Sequence, residues 1–289
     1  MGNAEGILLC RKEIGLTSFD VVSRLRRTLK TKCIGHTGTL DPFATGLLVI
    51  LVGRYTKLSN YLTAQDKCYR AQVFFGKGTS TDDLEGEVIS QGDSSLIQED
   101  QIHEALVSFL GQQMQTPPQF SAISIGGERA YKKARRGEVI DLASRPVFIH
   151  SIKLISWKNP YAEIEVHCSK GTYIRSIARD LGNLLGVPAH LSQLRRLFSG
   201  SYHVEGAISS DDLGDQEEVF SKLMSGIDSI LDIPKIEISE EAAICLKRGQ
   251  KPFWDAEFNS DVVFLTHCQG ELIALARLVE KKLVTVRGF

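Results

Sequence analysis

The order of segments predicts an α+β fold. It is a mainly antiparallel, mixed sheet flanked by helices and long loops, followed by a small β-rich C-terminal module. Three observations carry this. Many short runs alternate apolar with polar residues or are rich in β-branched and aromatic residues, and most follow one another through a turn. Segments with helical spacing are interspersed among them rather than strictly alternating. Finally, an acidic stretch, Ser209 to Asp232, separates the first part from a strand, a helix and three further short strands. Residues 1–232 are thus expected to form one domain and 233–289 a second, at sizes usual for folding units.

The elements follow in order. Ile7–Cys10 reads as a short strand. "TSFDVVSRLRRTLK" reads as a helix that Thr17 or Ser18 can cap, with Asp20 in the first turn and Phe19, Val22, Leu25, Arg26 and Leu29 tracing one stripe. "LLVILVG", from Leu47, is unbroken by polar residues, as expected of a strand buried on both faces. "TKLSNYLT" is a short helix, and "YRAQVFFGKG" a strand leading through the polar turn "TSTDDLEGEVIS" to another. Gln101–Leu110 is helical. "QTPPQFSAISIGGERAYKKARRGE" is a long loop or hairpin ending in a basic helix. "VFIHSIKLISW" and "YAEIEVHCSKG" are strands, and "TYIRSIARDLGNLLG" a helix opened by Thr172 and closed by Gly186. After Pro234, "KIEISEEAAICLKRGQ" gives a strand and a helix.

The 289 residues are 43% hydrophobic and 24% charged, an ordinary globular composition. No apolar run approaches the length of a membrane span, and the N-terminus shows no basic leader or cleavage site. The six cysteines are scattered, as in reduced thiols of a cytoplasmic protein. A zinc site would have to start from Cys33-x-x-His36 or from His167-Cys168, and no second pair completes either, so no metal is expected. The net charge of −1 hides segregation. Between Arg24 and Lys57 seven basic residues face one acid, Asp41; further basic clusters lie at Arg129–Arg136 and at Arg175, Arg179, Arg195 and Arg196. Such stretches suit nucleic-acid phosphates, although solvated faces look the same.

Asp41 stands at the mouth of "GHTGTLDPFATGLLVILVG", among Gly35, Gly38 and Gly46, His36 and three threonines. Asp-Pro is an ordinary turn starter. Here, however, the acid abuts a strand expected to be buried, and a desolvated carboxylate needs a cation. Arg175 could supply it and keep Asp41 ionised, making Asp41 a nucleophile or general base. Tyr69, at a strand start, could stack on an unstacked base or belong to the core. "FFGKGTSTDD" lacks the phosphate-loop pattern, and neither G-x-S-x-G nor H-E-x-x-H occurs.

Together, "GHTGTLDPFATGLL", "KCYRA", "CSKGTYIRSIARDLG" and "AHLSQLRRLFSG" resemble the TruB-type tRNA pseudouridine synthases, with "GLTSFDVVSRLRR" and "GTSTDDLEGEV" in the same order and spacing. The likeness spans roughly residues 6 to 200, and the stretch from Lys235 resembles a PUA-like RNA-binding module. It implies a cytoplasmic enzyme that isomerises uridine 55 in the T-loop of tRNA after flipping the nucleotide out. It implies Asp41 as the catalytic residue, His36 near the flipped nucleotide, Tyr69 stacked on the target base, and Arg175 paired with the aspartate. Leu194 would line the pocket, with Tyr173 and Lys170 beside it. The family uses no metal or organic cofactor, and tRNA would be the only partner, with no obligate protein partner and no membrane. Lys12-Glu13 stands where the family has Lys-Pro, and Phe120 and Ser124 stand where a tyrosine and a lysine are common. The rival readings are a non-catalytic RNA-binding or chaperone protein, an aspartyl-phosphate enzyme using Asp41, and a guide-RNA-dependent relative.

Overall fold

The computed structural model describes residues 4–121, 124–125, 127–129, 136, 138, 141–255 and 262–289. Lys132, Lys133 and Arg135, and with them the expected basic helix, lie outside the described residues.

The chain opens with β1 (Gly6–Lys12) and helix α1 (Ser18–Thr28), then β2 (Ile34–His36) and β3 (Thr45–Val52). Thr17 and Asp20 form a reciprocal cap on α1. The helix buries Ser18, Val21, Val22 and Leu25, whereas Phe19 is 65% exposed and points away from the core. The two adjacent valines, not Phe19, set the buried stripe. A 3₁₀ turn (Gly53–Leu58) and α2 (Ser59–Thr63) lead to β4 (Lys67–Phe75), followed by the hairpin β5 (Lys77–Thr79) and β6 (Val88–Gln91). Then come α3 (Glu99–Val107), β7 (Gly111–Gln115), the two-residue strands β8 (Ser124–Ile125) and β9 (Glu128–Arg129), β10 (Arg145–Lys158) and β11 (Tyr161–Cys168). Helix α4 (Ile174–Leu184), β12 (Ala189–Ser199), β13 (Tyr202–His203), β14 (Ile208–Ser209) and α5 (Gln216–Lys222) complete the first part. β15 (Lys235–Glu237), α6 (Glu240–Lys247), β16 (Val263–Cys268), β17 (Glu271–Val279) and β18 (Lys282–Gly288) form the C-terminal part.

The main sheet has ten strands, ordered β14-β1-β3-β12-β4-β11-β10-β7, with β2 beside β3 and β13 beside β12. Within this sheet, among the described residues, β1–β14 and β3–β12 are the parallel pairs. β12 therefore joins two antiparallel halves. β3 is buried on both faces: Leu47, Val49 and Leu51 enter one core and Leu48, Ile50 and Val52 another. That is why its sequence is continuous rather than alternating. In the other half, β4, β10 and β11 bury one face beneath α3 and α4, through Val73, Phe75, Ile149, Ile164, Val166, Ile102, Leu106, Ile177 and Leu181. Their other face carries Arg70, paired with Glu163 and Glu165, and stays open. The C-terminal strands form a four-stranded sheet, β15-β16-β17-β18. Its Leu265, Leu272 and Leu275 share one core with Ile7, Leu47, Val49, Leu51 and Tyr55. The acidic stretch before it is packed down, with Leu213, Val219 and Ile230 fully buried. Among the described residues no helix is long and apolar enough to cross a membrane.

Candidate active site

Asp41 lies in the loop between β2 and β3, and that loop is staked on three sides. The buried Ser18 hydroxyl accepts from the Leu40 N–H (2.9 Å) and donates to the Leu40 carbonyl (3.2 Å). The Gly15 N–H donates to the Pro42 carbonyl at 2.9 Å. Lys12, fully buried at the end of β1, donates its ammonium to the carbonyls of Glu13, Leu16 and Pro42. Burial pulls the Lys12 pKa down to about 8, while Asp41 and Glu13 work against that. The residue that departs from the family's Lys-Pro pattern is Glu13; Lys12 itself is a strut beneath the Asp41 loop.

Arg175 sits in the first turn of α4, only 6% exposed along its side chain. Helix entry is fixed by Gln115, whose amide accepts from the Tyr173 N–H (2.8 Å) and donates to the Tyr173 carbonyl (3.0 Å). The capping position is Tyr173, not Thr172, whose hydroxyl donates instead to the Ser169 carbonyl. Every nitrogen of the Arg175 guanidinium meets an acceptor. Nε lies 3.1 Å from Asp41 Oδ2, and Nη2 donates to Asp41 Oδ1 (3.3 Å) and to the Phe120 carbonyl (3.0 Å). Nη1 donates to Asp83 Oδ2 and to the Thr81 carbonyl, each at 3.1 Å. The two-point grip on Asp41 fixes the plane of its carboxylate.

Asp83 is the residue the sequence reading misses. Asp82-Asp83 looks like part of a polar turn, yet Asp83 is buried and accepts from the Thr81 hydroxyl and the Glu85 N–H. The sequence places no acid beside Asp41; the fold places two acids on one guanidinium. Burial pushes the Asp41 pKa up, Arg175 pulls it down, and Asp83 pushes it up again; the net direction is upward. The guanidinium also stands between the two carboxylates, where an aspartyl-phosphate enzyme would need its cation.

Above Asp41 opens a cleft of about 660 Å³, lined by Thr39, Leu40, Lys67, Tyr69, Phe120, Arg145, Lys170, Tyr173, Arg175, Leu194 and Arg196 among others. The Asp41 side chain remains 34% exposed toward it. Asp41, Tyr69, Tyr173, Arg175, Leu194 and Lys170 are thus brought together, while His36 is not on the lining. His36 sits behind the loop, with Nδ1 accepting from the Gly38 N–H at 3.2 Å, and burial with the nearby Arg196 pushes its pKa down. Burial pushes the Tyr69 and Tyr173 hydroxyls up.

Arg196 and Lys67 are two further cations of the wall. Arg196 is buried and donates to the Leu47 (2.7 Å) and Gly38 (3.0 Å) carbonyls, tying β12 to β3 and to the Asp41 loop. Lys67 donates to the Thr63 and Gln65 carbonyls, and burial brings its pKa down to about 8. The lining has five cationic side chains, Lys67, Arg145, Lys170, Arg175 and Arg196, against one acid. A concave, partly apolar wall with that balance suits a planar ring on an anionic backbone.

In the wider basic clusters Arg27, Lys30, Lys32 and Arg195 are exposed, whereas several other cations have partners within the fold. Arg54 pairs with Glu5 through two bonds of 2.7 Å, and Arg26 and Lys57 donate to the Ile34 and Gly288 carbonyls. Arg136 pairs with Glu128 and Glu138, and Arg179 with Asp82 and Asp180.

Residues 26–174 match the family model described as TruB family pseudouridylate synthase, N-terminal domain, and residues 175–232 match that of the tRNA pseudouridylate synthase B C-terminal domain. The tRNA pseudouridine synthase B of Cereibacter sphaeroides is 44% identical over 84% of this chain and 82% of its own. That of Corynebacterium efficiens is 39% identical over 97% and 95%, and that of Deinococcus radiodurans 41% over 98% and 99%. The fold is also that of a chain in a Cbf5-Nop10-Gar1 complex (TM-score 0.77, 24% identity, 98% of this chain and 84% of that one). It is shared by a chain in an H/ACA RNP bound to a substrate RNA containing 2'-deoxyuridine (TM-score 0.76, 22% identity, 98% and 84%).

Proposed function

The chain belongs to the TruB family of pseudouridylate synthases, and from that premise we propose that it converts uridine 55 in the T-loop of tRNA to pseudouridine at the Asp41 cleft. It is an isomerase acting on tRNA uridine. The reaction breaks the bond between N1 and C1′, turns the base, joins C5 to C1′, releases the proton of C5 and places one on N1, so the composition of the nucleoside is unchanged. A stacked base cannot reach Asp41, so the nucleotide leaves its stack, at a cost of about a few kcal/mol. The Tyr69 ring offers a stacking partner worth about 1–3 kcal/mol in return, with Leu194 and Tyr173 closing the walls. Arg145 and Lys170, the exposed cations of the wall, meet the phosphates.

Asp41 carries the chemistry in this reading, as the nucleophile or the sugar-stabilising base while the uracil is detached from C1′. Arg175 orients it and opposes the protonation that burial favours. Residues 233–289 act as a PUA-like module that extends the RNA contact. The enzyme works in the cytoplasm, alone, without a protein partner or cofactor. The single observation that supports this most is the two-point contact of Arg175 with Asp41 at the base of a cationic cleft.

The test is pseudouridine mapping on a T-arm hairpin given only the purified protein. Wild type is expected to convert it, and Asp41→Asn to bind the hairpin within a few fold of wild type while forming no pseudouridine. Conversion by that variant, or no conversion by wild type alone, would refute the assignment.

A further inference from the structure

The open face of the main sheet, on the other side from the cleft, holds a cluster that the uridine chemistry does not use. Asp66, in the turn before β4, His150 on β10 and His167 on β11 bring one ligand atom each to within 4.8 Å of one another. His150 Nε2 is 2.9 Å from Asp66 Oδ2, and the two imidazole rings lie 4.7 Å apart.

The backbone builds this grouping. The register of β10 on β11 steps from Ile149–Cys168 to Ser151–His167, so His150 is the extra residue of a bulge. A bulge re-aims its side chain and locally ends the strict alternation of faces. The turn at Asp66 is fixed by a bond from the Gly200 N–H to the Asp66 carbonyl (2.8 Å). The Phe148 ring lies tilted against His150 (4.9 Å) and Phe198 meets His167 edge-on (5.2 Å), so an aromatic ring walls each imidazole. Sequence inspection stops at His167-Cys168 because neighbours on a strand point to opposite faces. The Cys168 thiol is buried in the core, and the second imidazole comes from another strand.

We propose that Asp66, His150 and His167 form a binding site for a divalent first-row transition metal, zinc by preference. Two imidazoles and a carboxylate are a borderline donor set that suits zinc, cobalt, nickel and copper over magnesium or calcium. Ligands at about 2.0–2.2 Å from a tetrahedral zinc lie roughly 3.4 Å apart. The cluster closes to that by small side-chain rotations, with the fourth position open to water. A bound ion would tie the turn before β4 to β10 and β11 and replace the direct His150–Asp66 contact.

The test uses the full, tag-free chain stripped with chelator and titrated with cobalt(II) and then with zinc(II). One cobalt per chain is expected, with the visible bands of a tetrahedral nitrogen and oxygen site and no thiolate charge-transfer band. His150→Gln and His167→Gln should each weaken binding at least 10-fold, while Cys33→Ser leaves it unchanged. Zinc should raise the melting temperature of wild type and of neither histidine variant. Equal melting of all proteins in chelator shows that the variants fold. Lack of saturable binding by wild type, a thiolate band, or undiminished binding by both histidine variants would each overturn the site.

Discussion

Asp41 is held by forces of opposite sign, and its pH behaviour follows from their order. Burial and Asp83 raise its pKa and Arg175 lowers it, with burial the largest. A reacting carboxylate with a raised pKa loses activity on acidification at a pH above the ordinary carboxylate range of about 3.9. Removing the guanidinium takes away the lowering influence, so Arg175→Met should move the acid limb of the kcat/KM profile to higher pH and reduce the rate at neutrality. An acid limb that stays in place, measured on T-arm RNA, would show that the pairing does not govern ionisation. The likeness of motifs pointed to both members of this pair. Asp83 was hidden because an acid in a Gly- and Thr-rich turn looks solvated. The turn is also held from far along the chain, by the bond from the Leu191 N–H to the Asp82 carbonyl, which no local pattern announces.

At the scale of elements, local rules worked where one residue type had one use. The Thr17–Asp20 cap and the continuous apolar run of β3 were both legible. They failed where two positions competed: Thr172 turned back to Ser169 and left the helix start to Gln115, whose side chain comes from β7. The junction of β3 with β12 gives a sharp prediction. Gly46 has φ +100°, and a Cβ there would run into the backbone nitrogen and oxygen of Arg196, its pairing partner. Gly46→Ala adds backbone strain of about 1–3 kcal/mol and overpacking of about 1–3 kcal/mol. Urea denaturation should show a loss of about 2–6 kcal/mol on the same grounds. A variant as stable as wild type would mean that the two strands can part there without cost.

Over the whole molecule, the α+β class and the strand-rich C-terminus could be read from the order of segments, but not the way the C-terminal sheet is joined to the rest. Leu265, Leu272 and Leu275 complete a core begun by β1 and β3, and apolar residues do not name their partners. Ending the chain at residue 232 would expose Leu47, Val49, Leu51 and Tyr55 to water. The 1–232 fragment should therefore bind a hydrophobic dye and melt well below the full chain; a dye-silent fragment with the parent melting temperature would contradict a shared core. β12 has a consequence in time as well as in space. It hydrogen-bonds β3 and β4, both made more than a hundred residues earlier. During translation the two half-sheets must wait, each with a naked edge, until this strand leaves the ribosome. Such edges invite mispairing with other nascent chains, so synthesis past Ser199 is the moment at which these two edges can close, while the core of β1 and β3 still waits for the C-terminal sheet.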